Sequence, residues 1–412
     1  MTHVRTPVRH DAGVIAVVAF AHGTSHFFQL VLPSLFPWLM RDFGLDFTGV
    51  GLAMTAFFVV SGLGQAAAGF AVDRFGAFRV LCAGLACLGV AALLVAVAQG
   101  LAGLVLAALV AGAGNAVFHP ADFSLLNRKV SEGRLGHAFS AHGLSGSLGW
   151  ALAPVFVVGL ATTFGWRWAA VGAAVVALLA IVGLVAARGW LADGAERAAT
   201  RRAGGAQASS FDFLGVPAVW LCFLFFFFTT MAFGAFQNYG TPLLQALFDL
   251  TLAAAASGIT AFLLAAAGGM FLGGFIAARY AAHDRLVAVF LGGAALIAVI
   301  LAAGVLPTAA ALPALAGIGF CTGVAGPSRD ILVRRAAVAR FGAGAYGRIY
   351  GLVYSGIDAG MALAPLAFGP LMDSRRFWMV MAGVAVLQIG AVVVALAAAR
   401  RAGGAAPAAA AA

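Results

Sequence analysis

His22 and His26 stand four residues apart in an apolar run, and Gln29 follows three residues later. On a helix that spacing puts the two imidazoles on one face. Imidazoles so placed can hold a metal ion, exchange a proton near neutral pH, or hydrogen-bond to a neighbouring helix. The reading taken is a polar, proton-responsive lining, with no metal and no cofactor; plain helix–helix hydrogen bonding is the alternative. A second set lies between Gly112 and Pro154. Asn115, His119 and Asp122 precede a charged turn, Arg128 to Arg134, and His142, Ser145 and Ser147 follow it. Ionisable groups inside apolar spans are costly and usually face a bundle interior or a water-filled path. Gly112, Gly114, Gly143, Gly146 and Gly149 would let helices approach closely, and Pro120 and Pro154 can break or bend them. His119 either meets a carbonyl left unpaired by Pro120 or contacts the path.

Further candidates lie in the second half. Asp358 falls near the middle of an apolar run, so it is a candidate proton carrier, or else packs against an arginine or hydroxyl. Gln237 and Asn238 precede Pro242 as Gln29 precedes Pro33. Polar residues beside helix breakers in paired positions point to a binding path. Tyr346, Tyr350 and Tyr354 repeat every four residues, as a substrate wall or a core stripe. No G-x-x-x-x-G-K-[ST] loop occurs, which disfavours ATP-driven work. No catalytic constellation stands out, so no enzyme is expected.

The elements that position these residues follow from composition. Of 412 residues, 63% are hydrophobic and 9% charged, which places the chain in a bilayer. Twelve apolar runs of spanning length are read at about 13–39, 47–72, 77–98, 101–127, 136–163, 166–188, 214–245, 252–279, 285–306, 308–334, 345–371 and 376–399. The net charge of +10 is not gathered into a nucleic-acid-binding face. Nineteen of the twenty-four basic residues fall in turns on one side, so that side and both termini are expected in the cytoplasm. The expected organisation is a six-helix bundle over 1–188, a cytoplasmic linker over 189–212, a second bundle over 213–401 and a disordered tail over 402–412. Cys82, Cys87, Cys222 and Cys321 form no C-x-x-C pair.

The halves repeat. Thr55-Ala56-Phe57 recurs as Thr260-Ala261-Phe262, Pro120 as Pro327, and Ala151 to Pro154 as Ala362 to Pro365, at offsets of 205, 207 and 211. Parallel six-helix repeats with a path between them describe a large class of secondary transporters. The offset of 207 also pairs Asp122 with Arg329, which suggests an inner gate, with Arg329 able to meet an anion.

Gly69-Phe-Ala-Val-Asp73-Arg74-Phe-Gly76-Ala-Phe-Arg79 resembles the major facilitator superfamily signature G-x-x-x-D-R-x-G-x-x-R. The resemblance implies an all-α membrane protein of twelve transmembrane helices in two pseudo-symmetric bundles. It implies gating roles for Asp73, Arg74 and Arg79. The second copy, Gly274 to Arg279, has Ala278 at the acidic position, so the latch would be one-sided. Ser25-His26 with Gln29, Val117-Phe118-His119-Pro120, and the Gly/Leu/Pro pattern ending at Pro154 are similar to fosmidomycin-resistance-type exporters. In the superfamily a helix-four arginine is often tied to proton coupling; here that position is Ala108, and Ser147 replaces the proline of the antiporter Gly-Pro pair. The resemblance implies a monomeric, proton-coupled inner-membrane carrier of a bacterium that works by alternating access and exports a small anionic or amphiphilic compound. Substrate-path roles are expected for His22, His26, Gln29, Asn115, His119, His142, Gln237, Asn238, Arg329, Tyr350 and Tyr354, and proton coupling for Asp358 and His119. The alternatives are an uptake symporter for a small organic acid and a non-transporting membrane sensor.

Overall fold

The computed structural model describes residues 8–131, 134–191, 217–341 and 346–404. Within these, every regular element is a helix. The order is α1 Val8–Phe43, α2 Phe47–Phe75, α3 Ala77–Val97, α4 Leu101–Asn115, α5 Phe118–Lys129, α6 Leu135–Phe164, α7 Trp166–Ala186 and the short α8 Arg188–Leu191. It continues with α9 Pro217–Phe248, α10 Leu252–Arg279, α11 His283–Ala302, α12 Thr308–Phe341, α13 Tyr346–Asp373 and α14 Phe377–Gly404. Helices satisfy their own backbone polar groups, the condition for crossing hydrocarbon. Eleven spans are long and apolar enough to cross a bilayer, with α4 and α5 together making one of them, and α13 is the twelfth crossing. The segments 192–212 and 405–412, most of the expected linker and tail, lie outside the described residues.

The fourth run, expected as one span over 101–127 that Pro120 can break or bend, is broken. It divides at Ala116-Val117. Pro120 then falls in the first turn of α5, where its missing N–H would have no intrahelical partner in any case. Pro154 sits inside an unbroken α6. Single glycines join α2 to α3 and α6 to α7: Gly76 (φ 87) and Gly165 (φ 91) adopt left-handed conformations that other residues resist.

The helices form two compact units, Met1–Phe43 with Val59–Ser209, and Gly44–Phe58 with Ser210–Ala412. Helix α2 therefore gives its first turns to the second unit and its remainder to the first. In the first unit α1 packs on α6: a β-carbon on Gly149 would strike the carbonyl of Gly23, and one on Gly23 would lie 2.9 Å from that of Ser145. Gly84 and Gly114 bring α3 and α4 together in the same way. Gly143, expected among these contacts, faces open space. Asp11 on α1 is fully buried and holds Ser131 and Arg134, accepting from the backbone N–H of Ser131 (3.1 Å) and Nε of Arg134 (2.7 Å).

In the second unit Gly360 on α13 meets the backbone of α9, and Gly269, Gly273, Gly319 and Gly323 interleave α10 with α12. Small residues at crossings give membrane helices the contact that hydrophobicity alone cannot supply there. The first turn of α2 is capped by α13. Asp373 accepts from the N–H of Phe47 (2.6 Å) and of Thr48 (3.0 Å), and from the Thr48 hydroxyl. Tyr239 of α9 donates from its hydroxyl toward the carbonyls of Phe47 (3.1 Å) and Pro365 (3.2 Å).

A carboxylate at a helix N-terminus satisfies orphan N–H groups and is worth about 0.5–2 kcal/mol. Asp373→Ala is therefore expected to loosen the start of α2. A cysteine replacing the buried Val50 should alkylate several-fold faster in the Asp373→Ala background, in detergent. An unchanged rate would show that the cap does not hold α2.

Candidate functional site

The polar residues of the first unit converge on Asp122. This carboxyl has no exposure and lies on α5, nearly two turns before the basic residues that end the helix. Its Oδ2 is 3.1 Å from Nδ1 of His22 on α1 and 3.2 Å from Nε2 of His142 on α6. The two imidazoles stack, with centroids 3.5 Å apart and planes 22° from parallel. With a carboxylate accepting, both facing nitrogens are donors. His22 then carries its proton on Nδ1 and presents the lone pair of Nε2. The second oxygen, Oδ1, is buried and makes no hydrogen bond.

His26 and His119 complete the group. Their ring centroids are 4.4 and 5.3 Å from that of His22. Nδ1 of His119 lies 3.2 Å from Oε1 of Gln65 on α2, so its partner is an amide and not a carbonyl released by Pro120. Trp150 covers His26 at 4.3 Å, and Phe123 stands 5.1 Å from His142. Beside the imidazoles runs a chain of neutral donors. Trp150 Nε1 donates to Gln29 Oε1 (3.0 Å), Gln29 Nε2 to Asn115 Oδ1 (3.3 Å), and Asn115 Nδ2 to Ser61 Oγ (2.8 Å). The arrangement offers imidazoles and amides for hydrogen bonding, with aromatic walls beside them.

Local sequence explains the placement. The hydroxyls of Ser25 and Ser145 bond back to the carbonyls of His22 and His142, each at 2.8 Å, and so stay within their own helices. Gly146 and Gly149 keep α6 slim where it crosses α1. The close crossing brings His142 and His22 onto one oxygen.

Of the expected site residues, the structure thus gathers His22, His26, Gln29, Asn115, His119, Asp122 and His142. Gln237 and Asn238 are buried in α9, where Asn238 donates to the carbonyl of Gly234 (2.8 Å). Arg329 on α12 lies over the ring of Phe226 at 4.7 Å and borders an apolar pocket with Cys222 and Phe225. Each charge of the Asp122–Arg329 pair thus has neighbours in its own unit. Asp358 is half-buried on α13, and Arg74 and Arg79 are exposed. The side chains of Asp73, Tyr350 and Tyr354 lie outside the described residues. Sequence reasoning missed Ser61, Gln65, Trp150 and Phe123. Ser61 and Gln65 carried a readable signal: two polar residues four apart in an otherwise apolar run.

The Major Facilitator Superfamily model matches residues 16–365. The chain belongs to the major facilitator superfamily. Superfamily members are membrane transporters of small molecules, and not enzymes. The fosmidomycin resistance protein of Escherichia coli (strain K12) is 27% identical over 273 residues, 65% of this chain and 66% of that protein. A multidrug resistance protein B homolog of Mycobacterium tuberculosis (strain ATCC 25618 / H37Rv) is 29% identical over 165 residues, 39% of this chain and 31% of that one. The matched region thus spans less than two thirds of either relative. Among solved structures, a bacterial homolog of the human lysosomal transporter Spinster, in an inward-facing and occupied conformation, superposes with a TM-score of 0.72 over 97% of both chains. At 13% identity that likeness concerns the major facilitator fold alone.

Removing the shared acceptor tests the organisation of the site. Asp122→Ala leaves two buried imidazole N–H groups without a partner, at about 1–3 kcal/mol each. The apparent Tm of the purified protein should fall clearly in Asp122→Ala and less in Asp122→Asn, which keeps an acceptor oxygen. Equal melting of wild type and Asp122→Ala would contradict the role given to the carboxyl.

Proposed function

We propose that this transporter is a proton-coupled exporter of a small anionic or amphiphilic compound, working by alternating access in the inner membrane of a bacterium with both termini in the cytoplasm. The observation that carries the reading is the donor-rich cluster in which buried His22, His142, Gln29 and Asn115 meet the partly buried His26, His119 and Trp150. Polar groups inside a membrane bundle are retained where a path or a bound solute uses them. Imidazole and amide N–H groups suit an anionic or polar end. The faces of Trp150 and Phe123 suit an apolar one. Two relatives are named as resistance proteins, for fosmidomycin and for multiple drugs, which supports export.

The proton is assigned to Asp358. It stands at the thirteenth position of the 28-residue α13, where that helix packs against α9 through Gly356 and Gly360. A carboxyl near the middle of a span that changes its surroundings during the cycle can load a proton on one side and release it on the other.

Proteoliposomes with an imposed pH gradient and a panel of small anions and amphiphiles test this reading. Wild type should accumulate at least one panel member against its gradient. Asp358→Asn should lose gradient-driven accumulation while substrate counterflow survives. Accumulation undiminished in Asp358→Asn would remove the proton from that residue, and accumulation indifferent to the pH gradient would remove proton coupling altogether.

A further inference from the structure

Three imidazoles of the first unit are arranged as ligands around a point. One nitrogen from each of His22, His26 and His119 lies within 4.8 Å of the others. The bonds already made leave one nitrogen of each ring uncommitted. His22 uses Nδ1 on Asp122, and His119 uses Nδ1 on Gln65. Each therefore has Nε2 directed away from its partner. Nδ1 of His26 is buried and makes no hydrogen bond. Nε2 of His22 and Nδ1 of His26 also share one corner of α6. They lie 3.1 and 2.9 Å from the point where a β-carbon on Gly146 would stand. Only glycine leaves that corner open.

We propose that His22, His26 and His119 bind a late first-row divalent cation, of which zinc, nickel and cobalt are the representatives. The ligand set decides the class. Neutral imidazole nitrogens suit these ions, whereas magnesium and calcium take oxygen ligands. The outer partners are those of an imidazole metal site, where the nitrogen not bound to metal donates to a carboxylate or carbonyl oxygen. Asp122 does this for His22 and Gln65 for His119. The unpartnered Oδ1 of Asp122 is a further buried oxygen beside the site. Tetrahedral zinc at about 2.0–2.1 Å from nitrogen sets its ligands about 3.4 Å apart. Ring swings of about an ångström therefore close the present spacing. His26 and His119 are each only partly buried. Three protein ligands leave a fourth position for water or for an oxygen of a bound anion.

A second set, His22 with Asp122 and His142, is equally compact. A metal there would have to replace both imidazole contacts with Oδ2. The three-imidazole set breaks no bond, and it is the one proposed. It departs from the metal-free lining expected from sequence, and it needs no assumption about the transported compound or its direction.

The test uses full-length protein in detergent, purified without a histidine tag and titrated with cobalt(II) alone. Wild type should bind one cobalt with the intense visible absorption of a four-coordinate ion. His26→Ala and His119→Ala should each abolish that absorption. Asp122→Asn should weaken binding about 10–100-fold. His283→Ala, in the other unit, should leave it unchanged. Absence of the absorption in wild type, or its retention in the His26→Ala/His119→Ala double variant, would overturn the proposal. Should the variants fail to fold, X-ray absorption of zinc-loaded wild type decides, with three imidazoles expected and two or fewer contradicting it. The readout is binding and not transport, so a failed transport assay leaves it untouched.

Discussion

Burying Asp122 without exposure inside a membrane bundle is the constraint to which the first unit answers. A carboxyl there must be met by donors, because neither water nor lipid supplies them. The donors come from α1 and α6, through His22 and His142 on one oxygen. Those rings reach it only because the helices cross closely, with Gly149 pressed on the carbonyl of Gly23 and Gly146 leaving room for His22 and His26. The orientation of His22 in turn fixes which nitrogen faces His26 and His119. One buried carboxyl therefore sets the helix spacing, the ring orientations and the chemical identity of the site.

The internal repeat is kept in packing and abandoned in chemistry. Gly149 on α6 and Gly360 on α13, 211 residues apart, make equivalent contacts with the first helix of their own half. The offset of 208 that sets Gln237 against Gln29 sets Thr230 against His22 and Gly234 against His26. The offset of 211 sets Val353 against His142, and that of 207 sets Arg329 against Asp122. The second half thus repeats the scaffold without the imidazoles. Thr230 bonds back to the carbonyl of Phe226 (2.7 Å), and Arg329 lies over Phe226 in apolar surroundings. The ligand-type chemistry among the described residues is concentrated in the first unit.

Much of this was legible in the chain. Apolar length located the spans, since a helix is the only open solution for backbone in hydrocarbon. His22, His26, His119, Asp122 and His142 stood out because ionisable residues are rare in such spans. Their mutual assignment was not legible. The sequence presents Asp122 beside His119 and Arg128, and only the crossing of α1 with α6 reveals His22 and His142 as its partners. Pro120 signalled a break in the fourth run but not its place, just before it at Ala116-Val117. Ser61, Gln65 and Trp150 were passed over because each matters through a neighbour distant in sequence. The cap of α2 by Asp373 spans 326 residues and left no local trace.

The central claim is that the buried carboxyl of Asp122 fixes the tautomer of His22. Nitrogen-15 NMR of histidine-labelled protein reads this directly, with the His22 signals assigned by their loss in His22→Gln. The account predicts a protonated Nδ1 and an unprotonated Nε2 for His22 in wild type, lost or mixed in Asp122→Leu. A proton on Nε2 of His22 in wild type, or a tautomer indifferent to the loss of Asp122, would contradict it.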